Sequence, residues 1–97
     1  MMPSTTKADE WIAHDLKTLP ESFEPIWTGA KRFEITQVQV SVGERIALSE
    51  WDPKAGYTGR VVYVRVTHVD AGAIQSGVIV FGFRFDGKPS RERRKTE

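Results

Sequence analysis

The chain has 97 residues, enough for one domain with a single modest core, since chains divide into several domains only at larger sizes. Hydrophobic residues make up 39% and charged residues 28%, and no apolar run approaches the roughly 20 residues that cross a bilayer, so we expect a soluble protein with no membrane partner. The absence of cysteine excludes disulfides and thiolate metal sites. We expect a cytoplasmic protein because the first residues contain no apolar stretch of the secretory kind.

The formal net charge of +1 is unevenly distributed along the chain. Residues 88–97 hold five basic and two acidic residues, whereas the rest of the chain holds nine basic and eleven acidic ones. We predict a disordered N-terminus over residues 1–10, one domain over 11–86 and a basic disordered tail over 87–97. Binding to a nucleic-acid backbone needs a clustered positive surface, which the charge of the domain itself does not indicate.

The folded part is predicted to begin with a strand and a short helix. Residues 14–19 alternate polar and apolar side chains, as a half-buried strand does. Thr18, followed by a proline and a glutamate, has the spacing of a helix start in which the hydroxyl acts as a cap. Pro25 limits the helix to about two turns, and Gly29 is a natural left-handed terminator. The apolar stripe of this helix consists of Phe23, Ile26 and Trp27.

The next segment has the period of two that strands show. Phe33 and Ile35 are its apolar residues and form the expected inward row, whereas Glu34 points away from them, toward solvent or a cleft. The apolar parity then switches after Thr36, because the following valines occupy the other set of positions. Such a switch requires a bulge, a bend or a turn.

Three further strands are predicted over residues 45–51, 61–69 and 78–85, separated by segments rich in turn formers. The middle strand has an inward valine row that His68 is expected to continue at the end of a barrel. The predicted fold class is α+β, mostly β: a small antiparallel β-barrel of about five or six strands with one short N-terminal helix. The last strand carries one apolar face made of Ile79, Phe81, Phe83 and Phe85.

Several motifs follow one another in a fixed order between about residues 14 and 85. They are His14-Asp15-Leu16-Lys17, Gly29-x-Lys31-x-x-Glu34, Val42-Gly43-Glu44, Glu50-Trp51-Asp52-Pro53 and Tyr57-Thr58-Gly59-Arg60. In these residues the chain resembles the ASCH branch of the PUA-like superfamily, and within it a group of uncharacterised phage and bacterial domains. The resemblance implies a PUA-like β-barrel with a cleft beside the signature G-x-K-x-x-E-x-R. It also implies a ligand, since superfamily relatives bind RNA, modified bases or nucleosides there.

The chain departs from this family pattern at two places. Thr36 stands where the signature has arginine, and residues 37–41 replace the charged stretch that usually follows. Some ASCH relatives are amidohydrolases of acetylated cytidine, and others have been described as ribonucleases. In the amidohydrolases a threonine nucleophile stands three residues after the lysine, where this chain has Glu34. The resemblance therefore favours binding over catalysis.

The candidate site residues are the charged and aromatic members of these motifs. Lys31 and Glu34 form either a surface ion pair, which spacing alone favours, or a cleft pair that contacts a base edge, which the resemblance favours. Lys17 and Arg60 are the other cations that we place near the cleft, although each is also consistent with a solvated charge. Two aromatic residues flank the predicted loop at 52–56 and either stack on a base or pack the loop: Trp51 and Tyr57.

The leading hypothesis is a non-catalytic module, expected to be a monomer, that binds single-stranded RNA or a modified nucleobase or nucleoside. The first alternative is a small amidohydrolase that uses Lys31 and Glu34 on an acylated nucleoside such as acetylated cytidine. The second alternative is a phage-type interaction domain that engages a host protein, which suits the acidic domain. We expect no cofactor and no metal, because the two imidazoles, His14 and His68, lack metal-ligand spacing.

Overall fold

The computed structural model describes residues 11–72, 75–88 and 90–91. Its elements confirm the predicted fold class, a mostly β domain with one short helix near the start. No helix in the described ranges is long and apolar enough to span a membrane. In chain order the elements are β1 (His14–Thr18), α1 (Pro20–Trp27), β2 (Phe33–Thr36), β3 (Arg45–Asp52), β4 (Gly56–Ala71), β5 (Ile79–Phe85) and β6 (Ser90–Arg91).

The strands form one sheet in the order β1-β3-β4-β5-β2, and β6 pairs with β4 beside this path. β1 runs parallel to β3, and the other strand pairs are antiparallel. β1 and β2 therefore occupy the two ends of the order. The sheet curls far enough for both end strands to line one cleft, so the expected barrel is a half-barrel with an unclosed seam.

The core lies inside the curl, and α1 covers it through Phe23 and Ile26, which are fully buried. Each large aliphatic or aromatic side chain removed from water contributes about 1.5–3 kcal/mol before entropy is counted, which explains why these apolar rows face inward. The buried cluster comprises Phe23, Ile26, Val40, Ile46, Leu48, Val62, Val64, Val66, Ile79, Phe81 and Phe83.

The ends of α1 only partly follow the prediction. The Thr18 hydroxyl donates to the Leu16 carbonyl at 3.2 Å instead of capping the helix, because Thr18 is still the last residue of β1. Leu19 occupies the cap position without a side-chain hydrogen bond, and Pro20 begins the helix. At the other end Gly29 has a φ of +91°, which confirms the predicted left-handed terminator.

The two faces of β2 are reversed relative to the prediction. Phe33 and Ile35 are each 47% exposed, whereas Glu34 is half-buried. The register gives the reason: Glu34 lies directly opposite Phe81, a fully buried residue of β5, and directly opposed residues share a face of the sheet. The interior face of this end strand is therefore polar, and its outer face is apolar.

The predicted change of parity after Thr36 is confirmed as a turn. β2 ends at Thr36, whose Oγ1 accepts a hydrogen bond from the Val38 N–H at 3.0 Å. A hydroxyl bonded two residues ahead in this way is a common turn device. The loop then returns to the core at Val40, which is buried, before β3 begins.

The prediction that His68 continues the inward row of β4 is wrong. Val66 pairs with Phe83 but His68 pairs with Gly82, so β4 has one extra residue in a bulge at this point. Because strand side chains alternate, one extra residue transfers the inward position to Val69, which packs against the core. The His68 side chain is 69% exposed and lies 3.2 Å from an Asp70 carboxylate oxygen.

This bulge predicts unequal effects of truncating two adjacent residues. Val69→Ala is expected to lower the free energy of unfolding by about 1–2 kcal/mol through lost packing. His68→Ala is expected to change it by less than about 0.5 kcal/mol, as exposed positions usually do. Urea denaturation followed by circular dichroism measures both. A larger loss for His68→Ala than for Val69→Ala would contradict the bulge.

Part of the predicted disordered tail belongs to the sheet. Residues 90–91 form β6 and pair with Val61 and Arg60 of β4. These two residues are therefore ordered in the sheet, although the prediction placed them in a disordered tail. The remaining predictions for the tail at 92–97 and for the N-terminus at 1–10 lie outside the described residues.

Candidate functional site

A cleft of about 440 Å³, which we call the seam cleft, opens between the two end strands of the sheet. β1 contributes residues 15–18, and β2 with the turn after it contributes residues 34–38. Tyr57, at the start of β4, completes the lining. The site exists because the half-barrel does not close. Among the described strands, each end strand pairs on one side, which leaves backbone donors and acceptors for a ligand.

The predicted pair Lys31 and Glu34 meets at the mouth of β2. Lys31 Nζ lies 3.2 Å from Glu34 Oε1, and the two side chains are 22% and 15% exposed. Glu34 Oε1 is buried, and despite this short contact it accepts no hydrogen bond from the part of the chain that the structure describes. Burying an acceptor without a donor costs about 1–3 kcal/mol. The Glu34 carboxylate can therefore accept a further hydrogen bond, and the ion pair itself is partly enclosed.

The opposite side of the seam cleft carries Lys17 and Tyr57. Lys17 Nζ lies 4.5 Å from the centroid of the Trp51 ring, a cation–π contact that positions the ammonium. Trp51 pairs with Tyr57 across β3 and β4, and Tyr57 is exposed. Of the predicted site residues, Lys17, Glu34 and Tyr57 line the cleft directly. Lys31 and Trp51 each contact one of those lining residues.

The sequence analysis missed Asp15 as a lining residue of the seam cleft. Its Oδ1 accepts a hydrogen bond from the Ser49 hydroxyl at 2.8 Å, which fixes the carboxylate on β1. The alternation of β1 could have identified Asp15, because Asp15 and Lys17 are two residues apart and both occupy exposed positions on the same face of that strand. The charged groups around the cleft are thus two carboxylates and two ammonium groups, and they balance.

The structure does not place Arg60 in the seam cleft. Its guanidinium donates to both Glu50 carboxylate oxygens, at 2.8 and 3.0 Å, and also to Glu24 Oε1 at 2.8 Å. The same group lies 4.7 Å from the centroid of the Trp27 ring. The hydrogen bond to Glu50 raises the pKa of Arg60 above its ordinary value. Arg60 therefore connects the helix to the sheet and is not positioned to contact a ligand in the cleft.

A bulge in β4 explains this placement. Ser49 pairs with Val61 but Trp51 pairs with Tyr57, so β4 contains two more residues than β3 across this interval. The extra length turns at Gly59, whose φ is +99°, a conformation that suits glycine. It also brings a second donor to Glu50, because the Thr58 hydroxyl lies 2.6 Å from Glu50 Oε1.

The two histidines have separate surroundings. His14 Nε2 lies 3.3 Å from a Glu44 carboxylate oxygen, and His68 lies beside Asp70, as described above. Trp27 packs on Phe23 with the ring centroids 5.8 Å apart, as the helix stripe predicted. Within the described ranges, no group of three or more His, Asp or Glu side chains is arranged to hold a metal ion.

The fold and the seam cleft define a small α+β domain, a curled sheet with a ligand-sized opening between its end strands. A family model described as a domain of unknown function, DUF3850, matches residues 13–83. The chain therefore belongs to the DUF3850 family. A comparison with curated proteins found no significant match.

Proposed function

We propose that the seam cleft binds a flat polar ring, a nucleobase or modified nucleoside either free or within single-stranded RNA, without catalysing a reaction. The observation that carries this proposal is Glu34, a residue of the cleft lining whose Oε1 lies 3.2 Å from the Lys31 ammonium but accepts no hydrogen bond from the described residues. Amino and imino groups on a base edge are N–H donors that would satisfy it. A hydrogen bond to a charged group contributes about 1.5–3 kcal/mol.

The charge and shape of the cleft support a ring in preference to a phosphate. Asp15 and Glu34 balance Lys17 and Lys31, so the cleft has no excess of positive charge for an anion. Tyr57, an exposed aromatic residue in the lining, offers a surface for stacking, which typically contributes about 1–3 kcal/mol per base. The likeness of the Gly29–Ile35 motif to the ASCH branch of the PUA-like superfamily supports the same class of ligand.

Hydrolysis of an acylated nucleoside is the less favoured function. The hydroxyl of Thr36 is in the lining, but the position three residues after Lys31, where the amidohydrolases resembled here have their threonine nucleophile, is occupied by Glu34. The enclosed ion pair of Lys31 and Glu34 offers a donor and an acceptor to the polar edge of a ring, which suits recognition.

The proposal is tested by calorimetric titration with cytidine, N4-acetylcytidine and a short single-stranded RNA of mixed sequence. We expect at least one of these to bind, and Glu34→Gln and Lys31→Met to weaken that binding by about tenfold or more, as loss of a charged hydrogen bond predicts. Lys54→Met is the matched control, because Lys54 is exposed in the turn between β3 and β4, away from the lining residues.

Three results would overturn the proposal. The first is no binding of any of the three probes at low salt. The second is equal affinity in Glu34→Gln and in the unmodified protein. The third is release of acetate from N4-acetylcytidine that Lys31→Met abolishes, which would establish the amidohydrolase instead.

A further inference from the structure

A second cavity, which we call the Trp27 cavity, lies between the C-terminal end of α1 and the end of β5. Its volume is about 310 Å³, at the lower end of the range for small-ligand pockets. Two aromatic side chains, Trp27 and Phe85, and two cations, Arg32 and Lys88, contribute to its lining. None of the residues that the sequence analysis proposed for ligand binding is in this set.

The two cations of the Trp27 cavity lack a local counter-charge. In residues 11–72 and 75–88, no carboxylate forms an ion pair with Arg32 or Lys88, and the lining contains no acidic residue. The acid nearest in sequence, Asp86, accepts hydrogen bonds from Arg45 and Arg65 instead. Unlike the seam cleft, this cavity therefore has an excess of positive charge.

The aromatic residues determine the kind of anion that fits. The Arg32 guanidinium lies 5.2 Å from the centroid of the Phe85 ring, which holds its planar fork against an apolar wall. Trp27 is half-buried and already ordered by its contact with Phe23. A guanidinium fork matches the geometry of a phosphate, and aromatic walls favour a flat ring beside it. The cavity thus offers contacts to both parts of a nucleotide, the phosphate and the base.

The position of Arg32 connects the two cavities. The Phe83 N–H donates to the Arg32 carbonyl at 3.0 Å, so the hydrogen-bonded ladder of β2 and β5 extends to Arg32. Arg32 is exposed and immediately precedes β2, and residues two apart along a strand lie about 6.6 Å apart on the same side of it, so Arg32 neighbours Glu34. One lining residue of the Trp27 cavity, Arg32, is therefore a neighbour of one lining residue of the seam cleft, Glu34.

We propose that the Trp27 cavity binds a phosphate together with its attached base, as a nucleotide neighbouring the ring held in the seam cleft. That the flat ring is a nucleobase rests on the proposed function. That the cavity prefers an anion rests on Arg32 and Lys88 alone. The same chemistry is present in a free nucleotide and in a nucleic acid strand, and the experiment distinguishes these sources.

The test is a set of titrations followed by the indole N–H signals of the tryptophans in NMR spectra, assigned with Trp27→Phe and Trp51→Phe. Adenosine monophosphate is expected to shift the Trp27 signal, and adenosine is expected to bind about tenfold more weakly, since it lacks the charged contact. Arg32→Met, which keeps most of the aliphatic stem, and Lys88→Met are expected to weaken binding of the nucleotide. Arg84→Met, at an exposed position of β5, is the matched control.

An RNA dinucleotide identifies the source of the phosphate. If it shifts both the Trp27 and Trp51 signals and binds more tightly than adenosine monophosphate, the ligand is a nucleic acid strand. If it binds no more tightly and shifts Trp27 alone, the ligand is a free nucleotide. Both outcomes support the Trp27 cavity as the phosphate site.

The inference is overturned if neither phosphate probe shifts the Trp27 signal, if adenosine binds as tightly as its monophosphate, or if Arg84→Met weakens binding as much as Arg32→Met. Glu34→Gln separates this failure from failure of the proposed function. That variant should leave the Trp27 response to adenosine monophosphate unchanged, because Glu34 lines only the seam cleft. A Trp27 response without any nucleoside binding in the seam cleft would reject the proposed function and retain the phosphate site.

Discussion

Replacing Arg60 with Met is expected to lower the free energy of unfolding by about 3–5 kcal/mol, because removal of the cation from a buried ion pair leaves the carboxylate buried without its counter-charge. Glu50 is only 5% exposed and receives two hydrogen bonds from Arg60. The substitution also removes the contact with Glu24 that joins α1 to the sheet. Urea denaturation monitored by far-ultraviolet circular dichroism measures the loss.

Two controls make the Arg60 prediction specific. Arg84→Met removes an exposed arginine from the neighbouring strand β5 and should change stability by less than about 0.5 kcal/mol. The double variant with Arg60→Met and Glu50→Gln should recover part of the loss, because the neutral amide tolerates burial better than a carboxylate does. If Arg60→Met and Arg84→Met unfold at the same urea concentration, the network around Glu50 does not stabilise the fold.

Phe81→Ala is expected to cost about 3–5 kcal/mol, the usual loss when a fully buried aromatic side chain is truncated. Phe81 is completely buried and lies opposite Glu34 on β2 and Val69 on β4. Since a domain of this size is typically stable by about 5–15 kcal/mol, the variant should melt at a much lower temperature. Differential scanning calorimetry checks this.

Phe33→Ala is the matched control for this prediction, because it removes the same side chain from the outer face of the adjoining strand. With Phe33 47% exposed, the expected loss is about 1 kcal/mol or less. Equal losses for Phe33→Ala and Phe81→Ala would mean that β2 presents its apolar face to the core, as the sequence pattern suggested. The position of Glu34 in the seam cleft would then be incorrect.

The two residues with the largest expected effects on stability, Arg60 and Phe81, are not among those that line the seam cleft. The Arg60 network joins α1 to the sheet, and the aromatic row of β5 contributes to the core. The seam cleft lies between the two strands that end the order of the described sheet, β1 and β2. Its polar interior face at Glu34 stabilises the fold less than an apolar side chain would, which is a common feature of functional sites.

Much of the local structure could be predicted from the sequence, because it depends on neighbouring residues. Gly29 terminates α1 because a residue in the left-handed conformation, which glycine adopts readily, ends a helix. The turn after Thr36 follows from the change of apolar parity. The Lys31–Glu34 pair was also visible in spacing. Its binding role, like those of Lys17, Trp51 and Tyr57, remains a prediction.

What the sequence determined by itself is the order and type of the elements from β1 to β5, since periodicity, glycine and proline act over a few residues. The tertiary structure decided which face of β2 is interior, where β4 bulges, and which charges meet. Those features depend on register between strands far apart in the chain, and one extra residue reverses every side chain beyond it. Arg60 thereby joins Glu50 and Glu24, and Asp15 enters the cleft, because pairing partners and not sequence neighbours determine where a strand side chain points.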